Sequence, residues 1–128
     1  MTLEVLSSRV LLRPVELERS LAFYRDTLGL AIYREFGEGS HRGVVFFTGN
    51  GHLEVSGRSP GSAPQNIQLW LQVRDVDGAH DELADRGVTI LRPPVTEPWG
   101  LREMWIADPD GVEIAVIEVP ADHPLRKR

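Results

Sequence analysis

A chain of 128 residues, 41% of them hydrophobic, is long enough for one compact domain with its own core. It carries 19 acidic against 14 basic residues, a formal charge of −5, which argues against a nucleic-acid or anionic-membrane surface; the basic end Arg126-Lys127-Arg128 is too short to change that and reads as a solvated terminus. Cysteine is absent, which excludes disulfides, thiolate nucleophiles and Cys-held zinc or iron–sulfur sites. No apolar run approaches the ~18 residues of a membrane span and no signal-peptide pattern opens the chain, so a soluble cytoplasmic protein is expected.

Residues 3–13 are rich in leucine and β-branched residues and stop at Pro14, as a strand does. In residues 16–28, Leu17, Leu21, Tyr24 and Leu28 fall on one helical face, and Gly29 sits where a helix ends. Three strands follow, over 30–36, 43–48 and 52–56, with Gly49-Asn50-Gly51 as the tightest turn. Residues 57–65 (Gly-Arg-Ser-Pro-Gly-Ser-Ala-Pro-Gln) have a linker composition. The second half then repeats the first. A strand over 66–73 leads to a helix over 76–86, with Val76, Ala79 and Leu83 inward and Gly87 as its stop. Strands at 88–91, 101–107 and 112–119 complete it, and 120–128 is a tail. The reading is one domain over 1–128 made of two units, 1–56 and 66–119.

Between the last two strands lies Asp108-Pro109-Asp110-Gly111, a hairpin turn in which Pro109 fixes φ and Gly111 accepts a positive one. Upstream stands Pro98-Trp99-Gly100, and the first helix closes with Phe23-Tyr24-Arg25-Asp26-Thr27-Leu28-Gly29-Leu30. With the duplication, these motifs resemble the vicinal-oxygen-chelate superfamily of glyoxalases, bleomycin-resistance proteins and dioxygenases; Pro-Trp-Gly looks most like the bleomycin-resistance branch. The resemblance spans essentially the whole chain. It implies an α+β fold of two tandem βαβββ units, each an open half-barrel sheet, and a homodimer.

The resemblance also assigns four strand positions to a divalent metal, which fall here on Arg9, Glu54, Gln68 and Ala115. Arg9 stays protonated and repels a cation, and Ala115 has no donor. Glu54 and Gln68 alone are too few for a tightly held catalytic ion. Neither metal nor any other cofactor is therefore expected. The alternative is a rebuilt Zn, Ni, Mn or Fe site using Glu103, Glu113 or His52, which share the inward parity. His41, His80 and His123 read as solvated.

Strand alternation turns Arg9, Leu11 and Arg13 to the concave face, with His52 and Glu54. In the second unit it selects Gln68, Trp70, Glu103 and Trp105, and Trp99 lies on a loop able to cap them. The opposite parity (Val10, Leu12, Leu69, Leu71, Ile106, Ile114, Val116) is the expected core. Indoles among a few fixed charges are the make-up of a small-molecule pocket. By the resemblance, Arg13 stands where glyoxalases hold a substrate carboxylate; Arg9 either serves the same anion or neutralises Glu54. Trp70 and Trp105 either stack on ligand or pack against a partner subunit.

The expected function is a metal-free binding protein that sequesters an aromatic or partly charged organic molecule, as resistance proteins do, with no catalytic residue. The alternative is a lyase, isomerase or dioxygenase with Glu54 as general base and Arg9 or Arg13 on an oxyanion. An arginine beside Glu54 lowers its basicity and counts against the enzyme.

Overall fold

The computed structural model describes residues 3–61 and 66–126, so Ser62 to Gln65 of the predicted linker and the last two residues of the basic end lie outside the described residues. The chain divides into two compact units, residues 1–61 and 62–128. Both have the same topology, as the duplicated sequence pattern requires.

In the first unit, β1 (Val10–Leu12) leads into α1 (Leu17–Leu21), which continues as a π-helical turn, Ala22–Thr27. Strands β2 (Ile32–Phe36), β3 (Gly43–Thr48) and β4 (Gly51–Ser56) follow. The sheet order is β1-β4-β3-β2, with β1 parallel to β4 and the other pairs antiparallel. In the wide π turn Leu28 N–H donates to the Phe23 carbonyl at 2.8 Å. Phe23 and Tyr24 are both buried and meet edge to face, 5.0 Å between ring centroids. They pack into a core with Leu12, Leu21, Phe46 and Leu53.

In the second unit, β5 (Gln68–Val73) leads into α2 (Val76–Asp85) and then β6 (Thr89–Thr96), β7 (Arg102–Ala107) and β8 (Glu113–Glu118), in the order β5-β8-β7-β6. Asp75 caps α2 by accepting from Gly78 N–H at 3.0 Å. Val76 N–H is taken by the Glu118 carboxylate at 3.0 Å, so two helix-end donors are satisfied by side chains. Val76 and Leu83 seal the helix onto Met104, Ile106, Ile114 and Val116, all buried.

The β7–β8 turn forms as its sequence dictates. Asp108 Oδ1 accepts from the N–H groups of Asp110 (2.8 Å) and Val112 (2.9 Å), and Gly111 takes φ +90°. The aligned β7–β8 ladder pairs Trp105 with Ala115 and Glu103 with Ile117.

Four expectations are corrected. The first strand is confined to Val10–Leu12; Leu3, Val5 and Leu6 ahead of it are exposed. Val10, assigned to the core, is 46% exposed. The strand expected over 88–91 runs on as Thr89–Thr96, through Pro93 and Pro94. An edge strand tolerates prolines because one side of its backbone needs no ladder partner, and the register shifts on both sides of Arg92 absorb them. In the tail, Pro124–Arg126 form a short 3-10 turn.

Candidate functional site

On the first unit's sheet, Glu54 is the hub. Its Oε1 accepts from Arg9 Nη1 at 2.9 Å, while its Oε2 accepts from Arg13 Nη1 at 3.3 Å and from Ser56 Oγ–H at 2.6 Å. Arg13 also donates to Ser56 Oγ. The Glu54 side chain is only 13% exposed. The Ser56 hydroxyl, then Arg9 and Arg13, hold its carboxyl below the usual glutamate value against the opposing cost of burial. This arrangement follows from alternation: Glu54 and Ser56 are two apart on β4, and Leu11 of β1 and Val45 of β3 pair with Glu54.

Further along the same face lies an aromatic corner. His52 sits 4.7 Å from Tyr33 and 5.4 Å from Phe47, and those two rings are 5.1 Å apart. Tyr33 and Phe47 are exposed. At the other end the Phe36 ring crosses Gly43, where any Cβ would strike it, and Arg34 stands 5.6 Å above that ring.

The second unit's sheet carries an indole row. Trp70 and Trp105 both pair with Ala115, one from β5 and the other from β7. Trp105 packs on the buried cluster Leu101, Ala115, Ile117 and Val119; Trp70 is 52% exposed. Glu103, on the Trp105 face, is buried and accepts from Trp99 Nε1–H at 2.6 Å. Gln68 donates its amide to Glu113 at 2.7 Å. The Trp99 backbone is tied as well: His123 Nδ1 accepts from Leu125 N–H, which leaves Nε2–H to donate to the Trp99 carbonyl at 3.2 Å. His123 is thus an anchor rather than a solvated residue. His80 pairs with Asp81 on α2, and His41 is exposed.

The nine predicted ligand-binding residues therefore form two groups. Arg9, Arg13, His52 and Glu54 share the first sheet's face, and Gln68, Trp70, Trp99, Glu103 and Trp105 belong to the second unit.

Each half has the same topology, its first strand parallel to its last, and a family model matches the sequence that builds both. That for the Glyoxalase/Bleomycin resistance protein/Dioxygenase superfamily covers residues 7–116. The chain belongs to this superfamily. A solved member from Sphaerobacter thermophilus DSM 20745 is 28% identical, with TM-score 0.69 over 91% of this chain and 98% of its own. The uncharacterized protein YraH of Bacillus subtilis (strain 168) is 28% identical over 74% of this chain and 84% of the relative. TnmS3, an antibiotic binding protein from Streptomyces sp. CB03234, shares the fold at 24% identity, with TM-score 0.75 over 94% of this chain and 99% of its own.

Against the superfamily's metal positions, the residues of this chain do not fit. Both Glu54 oxygens are engaged by protein donors, one of them the Arg9 that occupies another ligand position. Gln68 is bonded to Glu113, and Ala115 offers nothing. Among the described residues, the carboxylates weighed as replacements, Glu103 and Glu113, belong to no cluster of three close ligand groups. Elsewhere Asp75, Asp77 and Glu118 lie close together, but each has a protein role: a cap, an ion pair with Arg102 and the acceptor for Val76.

Sequence reasoning missed Ser56, Tyr33 and Phe47. Ser56 was readable from its parity with Glu54. Phe47 was readable from the Gly49-Asn50-Gly51 hairpin, which sets it opposite His52. Tyr33 was not, because the register shift between Ile32 and Arg34 leaves no simple alternation to count.

Proposed function

We propose that this protein is a metal-free small-molecule-binding member of its superfamily, nearest in role to the bleomycin-resistance branch. In this reading it is a cytoplasmic homodimer that sequesters an aromatic or partly charged organic ligand, antibiotics included. The observation that carries the reading is the engagement of Glu54. At the metal positions it is the one strong oxygen donor, and both its oxygens are committed to Arg9, Arg13 and Ser56. A carboxylate so held, with its pKa depressed, is a poor ligand and a poor general base, which disfavours the lyase, isomerase or dioxygenase alternative. What the faces offer instead is contact surface: exposed Tyr33, Phe47 and Trp70 beside fixed polar groups. The fold of TnmS3 supports antibiotic binding on this scaffold.

Thermal shift against a panel of aromatic antibiotics, with and without Zn²⁺, Ni²⁺, Mn²⁺ and Fe²⁺, tests this reading. Metal-independent stabilisation by aromatic compounds is expected, with no stoichiometric ion in the purified protein and no effect of chelator. A bound transition metal near one per chain, lost with chelator together with stability, overturns it.

A further inference from the structure

Two buried carboxylates stand out in the second unit. Asp108 is explained by the two backbone N–H groups of its turn. Glu103, only 7% exposed, is not explained in this way. Among the described residues its one hydrogen-bond donor is the neutral indole N–H of Trp99, and it forms no ion pair there. Arg92, on the neighbouring strand, turns Nη2 to the Glu103 backbone carbonyl (3.0 Å) and to the Glu97 carboxylate (2.7 Å). A carboxylate withdrawn from water without a counter-charge is costly.

The surroundings of Glu103 favour a flat guest. Trp105 is two residues along β7 on the same face, roughly 7 Å away along the strand, and Trp70 lies beyond Ala115, about 9–10 Å from Trp105 by two strand spacings. Ala115 between them is buried with Trp105 packed on it, so the indoles and not the alanine supply the contact surface of that row. The donor now on Glu103 belongs to a side chain 58% exposed, which a guest can displace. The guanidiniums that would draw an anion, Arg9 and Arg13, are turned onto Glu54 in the other unit.

We infer that Glu103 is the charge-recognition group of the second unit's face, and that this face takes a planar organic cation. The protonated nitrogen replaces the Trp99 N–H on the Glu103 carboxylate, and the ring system lies on Trp105 and Trp70. The inference rests on the reading of this protein as a small-molecule binder and adds the sign of the ligand's charge.

Calorimetric titration near neutral pH with three tricyclic probes tests it: proflavine as cation, acridine as neutral ring, anthracene carboxylate as anion. Wild type is expected to prefer proflavine by about tenfold or more. Glu103→Gln, which keeps an acceptor for Trp99, should erase the preference by weakening proflavine at least tenfold more than acridine. Trp99→Phe removes the internal donor and should tighten proflavine severalfold relative to acridine, an effect a merely structural Glu103 does not produce. If Glu103→Gln fails to fold, this second variant decides, and proflavine binding unchanged or weaker relative to acridine overturns the inference. A preference that survives Glu103→Gln overturns the charge assignment while small-molecule binding stands. If none of the three probes binds, the charge assignment and the binding role fall together.

Discussion

Trp70 and Trp105 stand in one cross-strand row on either side of Ala115, yet they differ in what holds them. Trp105 rests on Leu101, Ala115, Ile117 and Val119, whereas Trp70 is about half exposed. Substitution should separate ligand contact from stability. Trp70→Ala is expected to change stability by less than about 1 kcal/mol, as exposed sites do. It should weaken binding of an aromatic ligand by roughly 2–10-fold through the lost ring contact. Trp105→Ala should weaken binding as much and also cost roughly 2–3 kcal/mol of stability, short of the full cost of a completely buried tryptophan. Urea denaturation beside ligand titration reads both quantities. Equal stability losses for the two variants would contradict the packing described.

Glu54 ties together Arg9, Arg13 and Ser56, and its depressed pKa turns that hub into a pH-dependent contribution to stability. The folded protein binds this proton less readily than the unfolded chain. The contribution is therefore complete above the unfolded glutamate value of 4.5 and is lost as pH falls through it toward the lower folded value. Glu54→Gln should lower stability at neutral pH by about 1 kcal/mol, kept small because Arg9 and Arg13 reach solvent. It should also flatten the pH dependence below about 4.5. Urea midpoints measured from acid to neutral pH check this, and parallel curves for the two proteins would assign the acid sensitivity to other groups.

Asp108 organises the β7–β8 turn that aligns Trp105 with Ala115. Asp108→Ala leaves two turn N–H groups without their acceptor and should cost roughly 1–3 kcal/mol. Asp108→Asn keeps an acceptor oxygen and should recover more than half of that. Because the turn sets the register of both strands, ligand affinity should fall with Asp108→Ala even under conditions where the protein remains folded. A variant that loses stability but binds normally would show that the register is fixed by the strands alone.

Much of this architecture was legible because its signals are local. Pro109 and Gly111 name their turn, Gly29 and Gly87 close their helices, and alternation put Glu54 on the face of Arg9 and Glu103 on the face of Trp105. What escaped depends on departures from period. The shift near Tyr33 hid an aromatic partner of His52, and Pro93-Pro94 disguised the length of β6. His123 was unreadable for another reason: its partner is a backbone carbonyl distant in sequence, and no side-chain pattern announces such a bond.

Assembly supplies the last test. Each unit has an open four-stranded sheet, and their faces leave Leu11, Tyr33, Phe47 and Trp70 between 41% and 52% exposed. Leaving large apolar side chains on an open sheet face in water forgoes the stabilisation their burial gives, and a second copy can cover part of the first unit's by isologous pairing while the rest, with Trp70, stays open to ligand. The expected species is a homodimer, twice the 14.3 kDa of one chain, at micromolar concentration. Light scattering checks the mass. Phe47→Asp together with Leu11→Asp places charges on the first unit's face and should shift the equilibrium to monomer. Both positions are exposed, so each chain should keep its helix and strand content by circular dichroism. A wild-type mass of one chain, or a dimer that survives this double substitution, would leave that face to the ligand and put any dimer contact elsewhere.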